Sequence, residues 1–140
     1  MKTFILIIPF LFFLTLNSFS QIPEELFEFL ENKDTTQLYF GADEDPEFPG
    51  GRSGMIKYYQ KKLYYPTEAR RLGTQGTVYV MFIVEKDGKL TNVKATNSVD
   101  KQLDKAAVRL VKKMPNWKPG EIAGKIVRVL HVLPVVYQLE

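Results

Sequence analysis

Residues 76–97 constrain this chain most. They read Gly-Thr-Val-Tyr-Val-Met-Phe-Ile-Val-Glu-Lys-Asp-Gly-Lys-Leu-Thr-Asn-Val-Lys-Ala-Thr-Asn. Val78, Val80, Phe82 and Val84 alternate, which predicts a strand with one apolar face. Asp87-Gly88 suits a tight two-residue turn, since both residues tolerate the positive φ it requires. Residues 90–97 then return as a second strand with Val93 and Ala95 facing the same way. A two-stranded hairpin is marginal alone, so its apolar face needs a cover.

The cover is predicted downstream. Ser98 or Asp100 can cap a helix in which Leu103, Ala106, Ala107, Leu110, Val111 and Met114 form one continuous apolar stripe. Pro115 stops it, and Trp117, the only tryptophan, is expected to plug one end of the core. Residues 124–139 read as a long final strand. Pro134 cannot donate a ladder bond, which argues for an edge or a bulge. Upstream, Met55, Ile56, Tyr59 and Leu63 recur at helical spacing, and Tyr64-Tyr65-Pro66 ends that helix. Pro66 can open another short helix with Ala69 and Leu72 facing inward, and Gly73 suits its end. Leu38-Tyr39-Phe40 is long enough for a brief strand. The expected fold is α+β: a small antiparallel three-stranded sheet, hairpin plus long C-terminal strand, with one helix packed across it and one or two short helices before it.

The N-terminus is read separately. Residues 4–16 are almost wholly apolar and follow a single charge, Lys2. As a helix that run spans roughly 20 Å at ~1.5 Å per residue, against about 30 Å for a bilayer core. With Ser18-x-Ser20 behind it, it fits a cleavable secretory signal over residues 1–20. The periplasm is the expected location, and the alternative is an uncleaved inner-membrane anchor with the rest facing the periplasm. Residues 21–45 form an acidic lead-in, and residues 46–140 the domain. Residues 21–50 carry nine acids and one base, net −8; residues 51–140 carry seventeen bases and seven acids, net +10. The bases are scattered along the sequence, which favours a solvated basic surface over a nucleic-acid site; no nucleic-acid partner is expected.

Enzyme chemistry finds no support. The chain has no cysteine and one histidine, His131, which alternation places beside Val129 and Leu133 as a half-buried side chain. Neither Ser53 nor Ser98 has a base placed to activate it, and nothing pairs Asp87 with Asp104. A lone histidine makes a poor zinc set, and neither Gly50-Gly51 nor Gly73-x-x-Gly76 has a phosphate-loop ending. No cofactor or metal is expected.

Several motifs come in a fixed order: Pro46-Glu47-Phe48-Pro49-Gly50-Gly51, Tyr65-Pro66-x-x-Ala69, Gly73-x-x-Gly76 leading into the alternating valines, then Asp87-Gly88 and Ser98. Leu103-Asp104 with Ala106-Ala107, Trp117-x-Pro119-Gly120 and Pro134-Val135-x-Tyr137 complete the set. In that order and spacing the chain resembles the C-terminal domain of the TonB family, the energy transducers of outer-membrane transport. The resemblance implies a binding module. Its last strand, here Val127, Arg128, Val129, Leu130, His131, Val132 and Leu133, would offer an edge to an extended peptide near the N-terminus of a TonB-dependent outer-membrane transporter. Tyr65 and Pro66 match a segment that lies near the peptide in the family; their other role is local, as helix stop and start. Two features depart from the family pattern. Residues 4–16 lack the ionisable residue that couples a membrane helix to the ExbB–ExbD motor, and no proline-rich spacer follows. A motor partner is therefore implied only for an uncleaved anchor. On this reading a proline at Val129 or His131 would remove an edge donor. The open edge, with Tyr79, Met81 and Ile83 on the opposite face, could instead pair with a second copy as a homodimer; residues 52–63 or the N-terminal segment could cover that face.

Overall fold

The computed structural model describes residues 38–140. The expected signal peptide, its alternative as an anchor, and the first part of the acidic lead-in lie outside the described residues. In chain order the elements are β1 (Leu38–Tyr39), α1 (Gly51–Lys62), α2 (Thr67–Leu72), β2 (Gly76–Val84), β3 (Leu90–Ala95), α3 (Lys101–Lys112), β4 (Gly120–Ile122) and β5 (Lys125–Tyr137). The fold is α+β, as expected. The sheet has five strands rather than three: β1, β5, β2 and β3 lie side by side in that order, and β4 pairs with β5.

The alternating residues do what their period dictates. Val78, Val80, Phe82 and Val84 are completely buried on the face that α3 covers, with Leu103, Ala107, Leu110 and Val111 opposite them. Asp100 caps α3, accepting from the Gln102 and Leu103 N–H groups at 2.9 and 3.1 Å. Trp117 closes one end of this core, edge-on to Phe82 at 5.2 Å and to Phe48 at 6.0 Å. Two helical expectations are corrected. α1 buries no residue, leaving Ile56 exposed, and Leu72 at the end of α2 also points to solvent. Both helices lie on the rim of the core, where Met55, Tyr58, Tyr59 and Leu63 pack partly buried against it and Ala69 is buried, as expected, while Ile56 and Leu72 turn outward.

The hairpin turn also differs. Glu85 accepts from the Gly88 N–H at 2.8 Å, and the Glu85 N–H donates to the Lys89 carbonyl at 2.9 Å. Only Gly88 has positive φ, at 85°, so the turn carries an extra residue and Asp87 keeps ordinary backbone angles. The Asp87 carboxylate instead accepts from the Lys89 N–H at 3.0 Å. A two-residue turn does occur, at Ala123-Gly124 between β4 and β5, with φ of 51° and 74°. Alanine is disfavoured there by about 1–2 kcal/mol. Ala123→Asn should therefore raise stability by about 0.5–1 kcal/mol, since asparagine tolerates this region; urea unfolding reads the change directly.

The lead-in is stitched to the domain. Leu38 is buried with Met81, Ile83 and Leu130 in a second small core on the sheet's far face. All four come from strands of the sheet itself, and no α1 residue is among them. Tyr79 on the same face stays 46% exposed. Glu44 and Glu121 exchange backbone bonds at 3.1 and 2.9 Å, Glu47 and Lys118 at 3.0 and 2.8 Å, and the Asp43 carboxylate accepts from the Ala123 N–H at 2.8 Å. Among the described residues, sheet pairing is present from Leu38, within the lead-in.

Candidate functional site: the outer edge of the last strand

β5 is the longest strand. From Val129 to Tyr137 it pairs antiparallel with β2 without a break, Val129 opposite Val84 and Tyr137 opposite Gly76. Its other edge is open only in part: there Arg128 and Val129 pair in parallel with Leu38 and Tyr39 of β1, while Val127, beyond the end of β2, pairs with Gly120 of β4. Among the described residues, the side of β5 away from β2 has no strand partner from Leu130 onward. The seven-residue edge read from sequence is thus corrected at its start: the chain's own backbone occupies Val127, Arg128 and Val129.

The direction of each backbone group follows from β2. The Tyr79 carbonyl accepts from the Thr96 N–H at 2.8 Å and the Tyr79 N–H donates to Asn97 Oδ1 at 2.9 Å, so both point toward β3. In an antiparallel ladder a residue's N–H and C=O share one side, and sides alternate. Val80 and Phe82 therefore bond to β5, and their partners Leu133 and His131 aim back at β2. Leu130, Val132, Pro134 and Val136 aim outward. Pro134 sits where its missing N–H costs the sheet nothing, which explains a proline in a paired strand. Of the residues expected at the site, Leu130 and Val132 carry outward backbone groups, while His131 and Leu133 do not; the parallel pairing of Val129 with Tyr39 takes up the Leu130 N–H and leaves its carbonyl open. Pro134 and Val136 extend the edge beyond the stretch read from sequence. Simple alternation past Pro134 was the available signal, but its phase depends on which strand β5 joins.

A proline at Val129 or His131 would consequently break the ladder to β2 and not the edge. The proline that removes an outward donor is at Val132. The edge has apolar side chains beside it: Val132 and Val136 are about half exposed on the same face as Tyr79. At its rim the Tyr59 hydroxyl reaches the Pro134 carbonyl at 3.5 Å.

Tyr65 and Pro66 separate in role. The Tyr65 ring stands edge-on to Tyr137 at 5.4 Å, beside the end of β5; its hydroxyl donates to the Thr74 carbonyl, and Arg70 lies over its other face at 5.2 Å. Pro66 is buried and starts α2, the local role.

His131 lies on the α3 face, 5.5 Å from the Phe82 ring and 5.3 Å from Trp117. Burial pushes its pKa below the ordinary 6.5, partly opposed by the Asp45 carboxylate. The unfolded chain therefore takes up this proton at higher pH than the fold does. Stability should fall as pH drops through about 6.5 and below, and be fully present above it. The urea midpoint is expected to be lower at pH 5.5 than at 7.5, and His131→Gln should flatten that slope.

No group of metal-ligating side chains occurs among the described residues. No described helix is long and apolar enough to cross a membrane.

The family model described as the Gram-negative bacterial TonB protein C-terminal matches residues 61–139. The TonB protein of Pseudomonas putida is 28% identical over 103 residues, 71% of this chain. The chain corresponds to only 42% of that relative's length. Two solution structures of the Helicobacter pylori TonB C-terminal domain align at 26% identity and a TM-score of 0.48. They cover 61% of this chain, which covers 78% of one and 90% of the other. With more than half of its residues matched by the family model, the chain belongs to the TonB C-terminal family.

Proposed function

We propose that this protein is an exported, periplasmic TonB-like module that binds an extended peptide from the N-terminal region of an outer-membrane transporter. The peptide adds as a strand along Leu130, Val132, Pro134 and Val136. The module takes part in energised outer-membrane transport as transducer, adaptor or competitor. The carrying observation is the run of outward-facing backbone groups that ends the sheet with no described strand beyond it. Each new backbone bond contributes about 0.5–1.5 kcal/mol net, and ordering the peptide subtracts from the sum. A handful of such bonds with side-chain contacts to Val132 and Val136 corresponds to micromolar affinity, about −8 kcal/mol.

Fluorescence anisotropy with synthetic peptides from transporter N-termini tests this. Saturable binding in the micromolar range is expected. Absence of saturation for every such peptide up to about 1 mM, roughly −4 kcal/mol, would discard the reading. A second reading keeps the edge but fills it with another copy of this chain. It is favoured by the exposed Tyr79, Val132 and Val136 beside the edge. Sedimentation over a concentration series distinguishes them: the peptide-binding reading expects a monomer at low micromolar concentration.

A further inference from the structure

The helical layer is not used by strand addition, and it is strongly basic. α1 contains Arg52, Lys57, Lys61 and Lys62 and no acid. Across the three described helices and the two caps of α3 the acids are Glu68, Asp100 and Asp104. All are engaged, Asp100 as the N-cap. Glu68 pairs with Arg71, and Asp104 lies 3.4 Å from both the Ser98 hydroxyl and the Val99 N–H. The excess positive charge of residues 51–140, scattered along the sequence, is thus gathered by the fold on one layer.

Its centre is an open groove between α1, the start of α2 and α3. Lys62, Lys105, Arg109 and Lys113 rim it, and Tyr58 and Tyr64 wall it. Lys105 and Arg109 also line the adjoining hollow with Lys112, Val108 and the single acid Asp104, so three cations to one acid extend the band. Among the described residues none of these five forms an ion pair with an acid. Tyr58 is held by its hydroxyl, which donates to the Leu110 carbonyl at 2.8 Å. Tyr64 is not buried: it stands 61% exposed at the rim. Unpaired like charges held together favour an anionic counterpart. An acidic peptide would need cations only along the groove. Here they spread over α1 and α3 on both sides of an exposed tyrosine, which suits a planar anionic surface, with the ring at headgroup level and the ammonium groups above the phosphates.

We propose that this helical layer, centred on the groove between α1 and α3, docks onto an anionic phospholipid bilayer. Leu130, Val132, Pro134 and Val136 do not line the groove, so docking leaves the strand edge available, and the proposal stands independently of peptide binding.

Vesicle co-sedimentation of the full chain tests it, with phosphatidylcholine alone and with 30% phosphatidylglycerol. An apolar N-terminal run partitions into both, so the ratio between the two lipids isolates the basic layer. At least a tenfold preference for the anionic vesicles is expected, lost in 0.5 M NaCl. It should also be lost in K105E/R109E and, as a second variant, in K62E/K113E, each checked for native circular dichroism. Tyr64→Ala should lower it a few-fold. Equal partition into both lipids would overturn the proposal, as would a preference unchanged in both folded charge-reversal variants. So would tight binding of a poly-glutamate peptide, or of soluble glycerol phosphate, without vesicle binding, since it would identify a peptide or small-anion site instead.

Discussion

Gly88→Ala is expected to destabilise the domain by about 3 kcal/mol or more, lowering the melting temperature by about 12 °C or more for a domain of this size. Two effects combine. Gly88 has φ of 85°, where a side chain costs about 1–2 kcal/mol. A Cβ there would also run into the Trp117 carbonyl oxygen, well inside van der Waals contact. The obstacle is backbone and cannot rotate away. Moving it breaks the bond from the Trp117 N–H to the Gly88 carbonyl, 2.8 Å long, and shifts the indole that closes the core against Phe82. Gly73→Ala is the control. Gly73 has φ of 67° but nothing within 4 Å of a Cβ, so only the strain should appear, about 1 kcal/mol. Thermal melts of both variants separate strain from collision. Equal losses would mean that Trp117 yields freely, and that the turn does not position the end of the core.

Val132→Pro should abolish peptide binding while leaving the domain folded. Val132 lies opposite Met81, and its backbone aims away from β2, so proline there removes no bond of the sheet. It removes a donor in the middle of the open edge. With Pro134 already lacking an N–H, the open edge would keep a donor only at Val136, and the ring would stand where the incoming strand must lie. A loss of at least thirtyfold in affinity is expected, about 2 kcal/mol. His131→Pro is the contrasting variant. His131 bonds to Phe82 across the ladder, so this proline should damage the fold itself, by about 3 kcal/mol or more. Circular dichroism with anisotropy titration reads both. A folded Val132→Pro domain with unchanged affinity would move the binding place elsewhere.

Local pattern revealed some of this in advance, for reasons visible in particular residues. The alternation of Val78, Val80, Phe82 and Val84 and the stripe from Leu103 to Met114 each report burial through a period. They met face to face because each needed a cover. Trp117 and Pro134 were legible because a lone large ring and a missing donor have few places to go. The turn was misread because Asp87-Gly88 suits two geometries, and the chain chose the one with a single left-handed residue. β4 escaped notice because Gly120–Ile122 is too short to show a period. The edge was misplaced at its start because closure of Val127, Arg128 and Val129 depends on Gly120, Leu38 and Tyr39, distant contacts that leave no local mark. Which residues of β5 face outward was equally hidden. That phase is set by Tyr79 bonding to Thr96 and Asn97, in a different strand pair.

Amide hydrogen exchange along β5, with and without a transporter peptide, tests the central claim most directly. In the free protein the N–H groups of His131, Leu133 and Val135 should exchange slowly, and those of Val132 and Val136 fast. Peptide should slow the second set and leave the first nearly unchanged. Slow exchange at Val132 and Val136 before any peptide is added would mean that backbone already covers the edge, and would contradict the account.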